Sequence, residues 1–138
     1  MKRIMAFIIL SVSSIISTYG QSNAIEGIWL TEIKDAKIEI YKKGNSYHGR
    51  VVWIKNPNDE NGKPVTDKNN PNEALRKRPI LKMDILIGFV YEGGEWTGKI
   101  YDPKKGETYK GKLWISDGNL MVRGYLGWLY DTKTWTKV

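Results

Sequence analysis

Any reactive centre in this chain must be assembled from few groups, because its 138 residues contain one histidine, His48, and no cysteine. Cys–His catalysis and thiolate metal sites are therefore excluded, and a Ser–His–Asp arrangement would have to be built on His48. His48 falls in a strand on the same face as Arg50, which reads as a solvated or rim imidazole rather than a haem or metal ligand. Paired carboxylates for glycoside hydrolysis must stand roughly 5 to 10 Å apart in a cleft. Asp67 and Asp102 are candidates, although Asp102 before Pro103-Lys104 is equally a turn former. The sharper reading joins Asp67, Arg76 and Asp102 into a polar lock, a guanidinium fork paired to carboxylates that ties a long loop to the rest of the fold. No nucleophile, base and orienting group can be named together, so no catalytic residue, metal or cofactor is assigned and an enzyme is not expected.

The elements that must position these groups follow a period of two, broken every eight to twelve residues by Gly, Asn, Asp or Lys-Gly turns. The predicted strands are 26–31, 36–41, 47–54, 84–92, 94–102, 107–116, 119–126 and 132–138. In the third, Tyr47, Gly49, Val51 and Trp53 are placed on one side. Between the third and fourth runs a long irregular loop, 55–79, holding four of the five prolines. Within it Asn72-Glu73-Ala74-Leu75-Arg76 predicts a short helix, with Asn70 as N-cap and Pro71 in the first helical position. Eight antiparallel strands with short connections and one long one favour an all-β, up-and-down barrel, since closure removes exposed edges. Glycines 49, 88, 98, 111 and 124 fall inside strands, where barrel coiling is the usual reason for them.

The N-terminus belongs to no strand. Lys2 and Arg3 precede an uncharged apolar run, Ile4 to Ile16, that dissolves into small and polar residues, the pattern of a secretory signal peptide. The run is short of the ~20 residues of a stable membrane span. Cleavage is placed after Gly20, with Ala24 as the alternative, leaving one domain, 21–138, in the periplasm or outside the cell. Removal of Lys2 and Arg3 lowers the formal charge of +7 to +5. The remaining Lys and Arg alternate along strands or sit at turns, with one dense cluster at Arg76, Lys77 and Arg78. That distribution argues against nucleic acid and suits at most a weak attraction to anionic envelope surfaces.

Gly27-Ile28-Trp29 in the first strand, taken with Arg123 in the seventh, resembles the lipocalin or calycin arrangement, in which a floor Trp is capped by an Arg from a late strand. The resemblance implies barrel-floor packing by Gly27, Trp29 and Arg123. A second one spans the chain. Ile25-Glu26-Gly27-Ile28-Trp29-Leu30-Thr31, Gly49-Arg50-Val51-Val52-Trp53, and Asp67 with Asn70-Pro71, Leu75-Arg76 and Arg78-Pro79 resemble the bacterial exported family called domain of unknown function 2147. So do Ile100-Tyr101-Asp102-Pro103, Gly106 with Tyr109, Val122-Arg123-Gly124-Tyr125 and Thr134-Trp135-Thr136-Lys137-Val138. The implication is a small secreted or periplasmic β-domain with no established activity. Many members carry cysteines where His48 and Tyr125 stand, so any disulfide role is absent here. Lys82 occupies a position where members often have Gly, and a different local backbone is expected there.

Two functions fit these features. The first is a binding module for a small amphipathic or apolar envelope molecule, lined by some of Trp53, Tyr101, Tyr109 and Tyr125 with Arg123 deeper. The second is an envelope structural or interaction protein with a filled barrel and no small-molecule ligand. Internal volume separates them: an empty pocket of about 300 Å³ or more favours cargo.

Overall fold

The computed structural model describes residues 21–138; the predicted signal peptide, 1–20, lies outside the described residues. The alternation of apolar and polar side chains produces eight strands: β1 (Gly27–Leu30), β2 (Ala36–Lys43), β3 (Ser46–Ile54), β4 (Asp84–Glu92), β5 (Glu95–Asp102), β6 (Glu107–Ser116), β7 (Asn119–Leu126) and β8 (Leu129–Lys137). Each pairs antiparallel with the next, and β8 returns to β1 through Trp29↔Lys137 and Leu30↔Thr136. The result is the expected closed, up-and-down eight-stranded barrel. The last strand starts at Leu129 rather than Thr132, because Gly127-Trp128 makes a two-residue turn that pairs Leu126 with Leu129. In the long loop only a 3-10 turn forms, Glu73–Leu75, and its N-cap is Asn72 rather than Asn70. The side chain of Asn70 instead accepts the Asn72 N–H at 2.8 Å.

The barrel interior is filled at one end. Trp29, Trp96, Phe89, Ile25, Leu113 and Leu120 are buried there almost completely. The segment before β1 closes this floor: the Trp29 indole donates to the Ile25 carbonyl at 2.9 Å, and the Trp96 indole to the Ser22 carbonyl at 2.8 Å. Both indole N–H groups are thus satisfied away from water. Trp135 is the third buried indole, so three of the six tryptophans feed the core.

Two bulges set what faces inward. In β3, Ile38 pairs with Val51 and Lys37 with Trp53, so Val52 is an extra residue and the alternation slips. Ile54 turns into the barrel mouth, whereas Trp53 lies outside beneath the Lys37 ammonium, 5.0 Å from the ring centroid. In β4 the register shifts between Ile87 and Val90 around Gly88, whose φ of 63° suits glycine and allows Phe89 to swing into the core. Lys82 also has positive φ, 73°, so the backbone keeps a glycine-type conformation there despite the side chain.

Gly98, Gly111 and Gly124 lie side by side across β5, β6 and β7. A Cβ on Gly111 would stand 2.6 Å from Ile100 and 2.9 Å from Phe89, while one on Gly124 meets nothing nearer than Tyr109 at 3.8 Å. Substitution Gly111→Ala is therefore expected to cost about 1–3 kcal/mol by overpacking, and Gly124→Ala less than about 1 kcal/mol. Urea unfolding of the two variants checks the contrast.

Candidate functional site

The end of the barrel opposite the floor is open. A cavity of about 650 Å³ lies under the long loop, walled by Ala36, Ile38, Val51, Ile54, Val65 and Ile80. An adjoining one of about 460 Å³ is walled by Ile100, Tyr109, Val122, Leu129 and Trp135. Ile85, Asp102 and Pro103 border both, so the two are halves of one mouth. Polar groups join this lining, Thr31, Asp35, Asn56, Thr66, Lys68, Asn69 and Lys104 in the larger half, Lys105, Asp131 and Lys133 in the smaller, and Asp102 in both. Burial raises the Asp35 carboxyl pKa, but the Thr31 hydroxyl and the Lys104 ammonium, 2.7 and 3.0 Å away, outweigh it and hold the group below the usual carboxylate range.

The loop that roofs this mouth is held by one carboxylate. Asp67 is wholly inaccessible to solvent. It accepts from the Tyr101 hydroxyl at 2.5 Å, the Asn70 amide at 2.8 Å, and Nε and a terminal nitrogen of Arg78 at 3.0 Å each. A short ladder places these partners: the Asp67 N–H donates to the Arg78 carbonyl and the Ile80 N–H to the Val65 carbonyl, with Thr66 bridging Pro79. Burial first, and then the hydrogen bond to Asp67, push the Tyr101 hydroxyl up to about 12.

The lock is thus Asp67–Arg78–Tyr101–Asn70, not Asp67–Arg76–Asp102. Arg76 points away from the carboxylate and donates from Nε to the Asn70 carbonyl at 2.8 Å, with Glu73 at 4.0 Å. Asp102 caps its own turn, taking the Lys104 N–H on its side chain and the Gly106 N–H on its carbonyl. One signal could have distinguished Arg78: a residue before proline is held extended, which presents its backbone to a neighbouring strand.

The predicted floor and lining residues also redistribute. Lys137, not Arg123, stands over Trp29, with its ammonium 4.8 Å from the ring and donating to the Glu26 carbonyl at 3.1 Å. Gly27 beside it has a φ of 130°, a conformation that side-chain-bearing residues rarely adopt. Arg123 lies on the outer face, stacked 4.1 Å from Tyr130 and 4.8 Å from Trp114, with Nε bound to Thr132. The cause is strand parity: Leu120 and Val122 face inward, so Arg123 and Tyr125 cannot. Tyr125 lines an outer groove with Lys110 and Lys112. Of the aromatics expected to line the mouth, Tyr101 and Tyr109 do so, and Trp53 and Tyr125 do not.

His48 gains no catalytic partners. Its Nε2 lies 3.2 Å from the Ser46 hydroxyl, but Nδ1 is 3.8 Å from Asp84 and makes no hydrogen bond. The other Asp84 oxygen is held by the Tyr41 hydroxyl at 2.7 Å. The orienting link of a triad is missing. No group of three or more metal-ligating side chains occurs among the described residues.

A closed eight-stranded up-and-down barrel, packed at one end and open at the other beneath a long loop, is the lipocalin type of architecture. Residues 27–137 match the family described as "Uncharacterized protein conserved in bacteria (DUF2147)", and the chain belongs to that family. Among solved structures it is similar to HP1028 from the human pathogen Helicobacter pylori, described as belonging to the lipocalin family. The two share 22% identity over 82% of each chain, with a TM-score of 0.72. No curated protein matches the sequence.

Replacing Arg78 by Ala strands the Asp67 carboxylate and is expected to cost about 2–4 kcal/mol and open the loop to proteolysis, against under about 1 kcal/mol for Arg76→Ala. Thermal unfolding and limited proteolysis compare them. The Tyr101 proton is held up to about 12 in the fold, against about 10 in the unfolded chain, so the unfolded state loses it first. Stability should then fall as pH rises from about 10 toward 12, and less steeply in Tyr101→Phe, measured by urea unfolding across that range.

Proposed function

We propose that this protein is an exported, non-enzymatic binding module that takes one small amphipathic or apolar envelope molecule into the barrel mouth. The observation that carries the reading is the mouth itself: cavities of about 650 and 460 Å³ meet at Ile85, each beyond the roughly 300 Å³ at which a cleft begins to accept a ligand. Their walls are aliphatic and aromatic, so an acyl or isoprenoid body replaces water there favourably, at about 25 cal/mol per Å² of apolar surface covered. Tyr109, Lys105 and Lys133 stand where a polar head would rest. The Tyr109 hydroxyl donates to Glu107 at 2.5 Å, and that bond first, then burial, push it up to about 12. The lipocalin-like fold supports the same reading, and the basic-then-apolar N-terminal run supports export. A barrel with a filled interior is the weaker alternative, because filling is confined to the floor.

The test is displacement of a fluorescent fatty-acid analogue from delipidated protein by saturated fatty acids and isoprenoid alcohols. One-to-one binding is expected. Gly124→Phe, which builds a ring into the mouth, should weaken binding about tenfold or more, and Trp53→Ala, on the outer wall, should not change it. No response to either ligand class, or equal binding by the Gly124 variant, contradicts the reading.

A further inference from the structure

The outer wall of the barrel carries charge in a pattern that the fold does not need. Trp96, Leu113, Leu120 and Val122 point inward, so Lys99 on β5, Lys110 and Lys112 on β6 and Arg123 on β7 point outward. The register sets these four in two rows: Lys99 stands directly opposite Lys110, and Lys112 directly opposite Arg123. Like charges facing each other across a strand pair are destabilising, and here two such pairs are adjacent. Along the chain the four are dispersed over three strands, and only strand pairing brings them together.

The carboxylates on this face do not balance the four cations. Glu92 and Glu95 lie opposite each other at its floor end, and Glu95 is bound to Lys112 at 3.1 Å. Lys99, Lys110 and Arg123 form no ion pair among the described residues. Arg123 is also braced. Its guanidinium lies 4.1 Å from the Tyr130 ring centroid and 4.8 Å from that of Trp114, and its Nε donates to Thr132 at 2.7 Å. The two terminal nitrogens have no protein acceptor among the described residues, so a fixed fork is left for an anion. Beside the rows runs a groove of about 720 Å³ with Thr97, Lys99, Lys110, Lys112 and Tyr125 in its walls.

We propose that the outer wall of β5–β7 is a docking track for an acidic polysaccharide, a linear glycan with regularly spaced carboxylates, held by Lys99, Lys110, Lys112 and Arg123 with Tyr125 beside them. The cations step diagonally across three strands, and the two rows stand about 7 Å apart at ~3.4 Å per residue. That spacing suits a chain with one anion per monomer and is too wide for the adjacent oxyanions of a diphosphate. A glycan is favoured over single-stranded nucleic acid because Trp114 and Tyr130 brace the guanidinium rather than stand free for stacked bases. The track lies outside the barrel, so it is independent of what enters the mouth.

The test is calorimetric titration of the protein, as processed by the producing cell, with oligogalacturonate, neutral dextran, single-stranded DNA and phosphatidylglycerol vesicles, the last two at matched charge. Oligogalacturonate is expected to bind, more weakly as salt is raised, and dextran not to bind. Lys110→Gln should lower the affinity about fivefold and the pair Lys99→Gln, Lys110→Gln about tenfold or more, whereas Lys110→Arg should retain it. Lys77→Gln, which removes one exposed charge from the long loop, should leave it unchanged. These lysines are on the surface, and an unchanged dichroism spectrum with unchanged fatty-acid affinity shows that fold and mouth survive. Absence of oligogalacturonate binding overturns the proposal, as does equal or tighter binding of DNA or vesicles. Equal losses from Lys77→Gln and Lys110→Gln also overturn it, by reducing the attraction to net charge.

Discussion

A carboxylate withdrawn wholly from water has to be met on all sides, and Asp67 is met by a phenol from the barrel, an amide from its own turn and a guanidinium from the returning half of its loop. Each partner comes from a different stretch of chain, so satisfying the one charge fixes where the loop lies. Neither of the loop's own elements, a single 3-10 turn and a short ladder, has that power. The position of the loop then decides the shape of the larger cavity, whose roof includes Val65 and Ile80 on either side of the ladder. A buried ion pair gives little net stability compared with an apolar filling. Its use here is positional: it holds a roof at a defined height while leaving the space below unfilled.

The two ends of the barrel solve opposite problems. At the floor, indole, phenyl and aliphatic groups interlock, and the segment before β1 supplies carbonyls to both indoles, which ends the barrel with no hollow. At the mouth Ala36, Val51, Val122 and Gly124 stand among larger aliphatic residues and leave open space between them. An eight-stranded barrel is just wide enough either to fill itself or to hold one small molecule. This chain does the first in one half and the second in the other. Stability and binding are thereby separated along one axis, which lets mouth residues be changed without unfolding the floor.

Much of this was legible in the sequence. Alternation, clearest in β2, and Gly-containing turns at regular spacing identify the strands and their up-and-down order. Asp67 is legible as the loop-tying carboxylate, although with Arg76 and Asp102 as its partners. The errors have specific causes. A bulge at Val52 carries no glycine to mark it, and it moves Trp53 from one side of the wall to the other. Arg76 and Arg78 are two residues apart in one basic cluster, and only the proline after Arg78 tells them apart. Arg123 is different, because its parity with Leu120 and Val122 was readable and already placed it outside. The likeness to a floor-capping arginine concealed that, and Lys137 carries the cationic contact to Trp29. The exposed Trp128 fell in a turn, where periodicity says nothing about solvent.

The claim on which the functional reading rests is that a ligand enters the open half of the barrel and leaves the packed half unchanged. Methyl-selective nuclear magnetic resonance of the delipidated protein, titrated with a saturated fatty acid, measures this directly. The expected result is saturable one-to-one shifts at Ile38, Val51, Ile54, Ile85 and Val122, with Ile25, Ile40, Leu113 and Leu120 unmoved. Shifts absent from the mouth methyls, or confined to side chains on the outer wall, would contradict it.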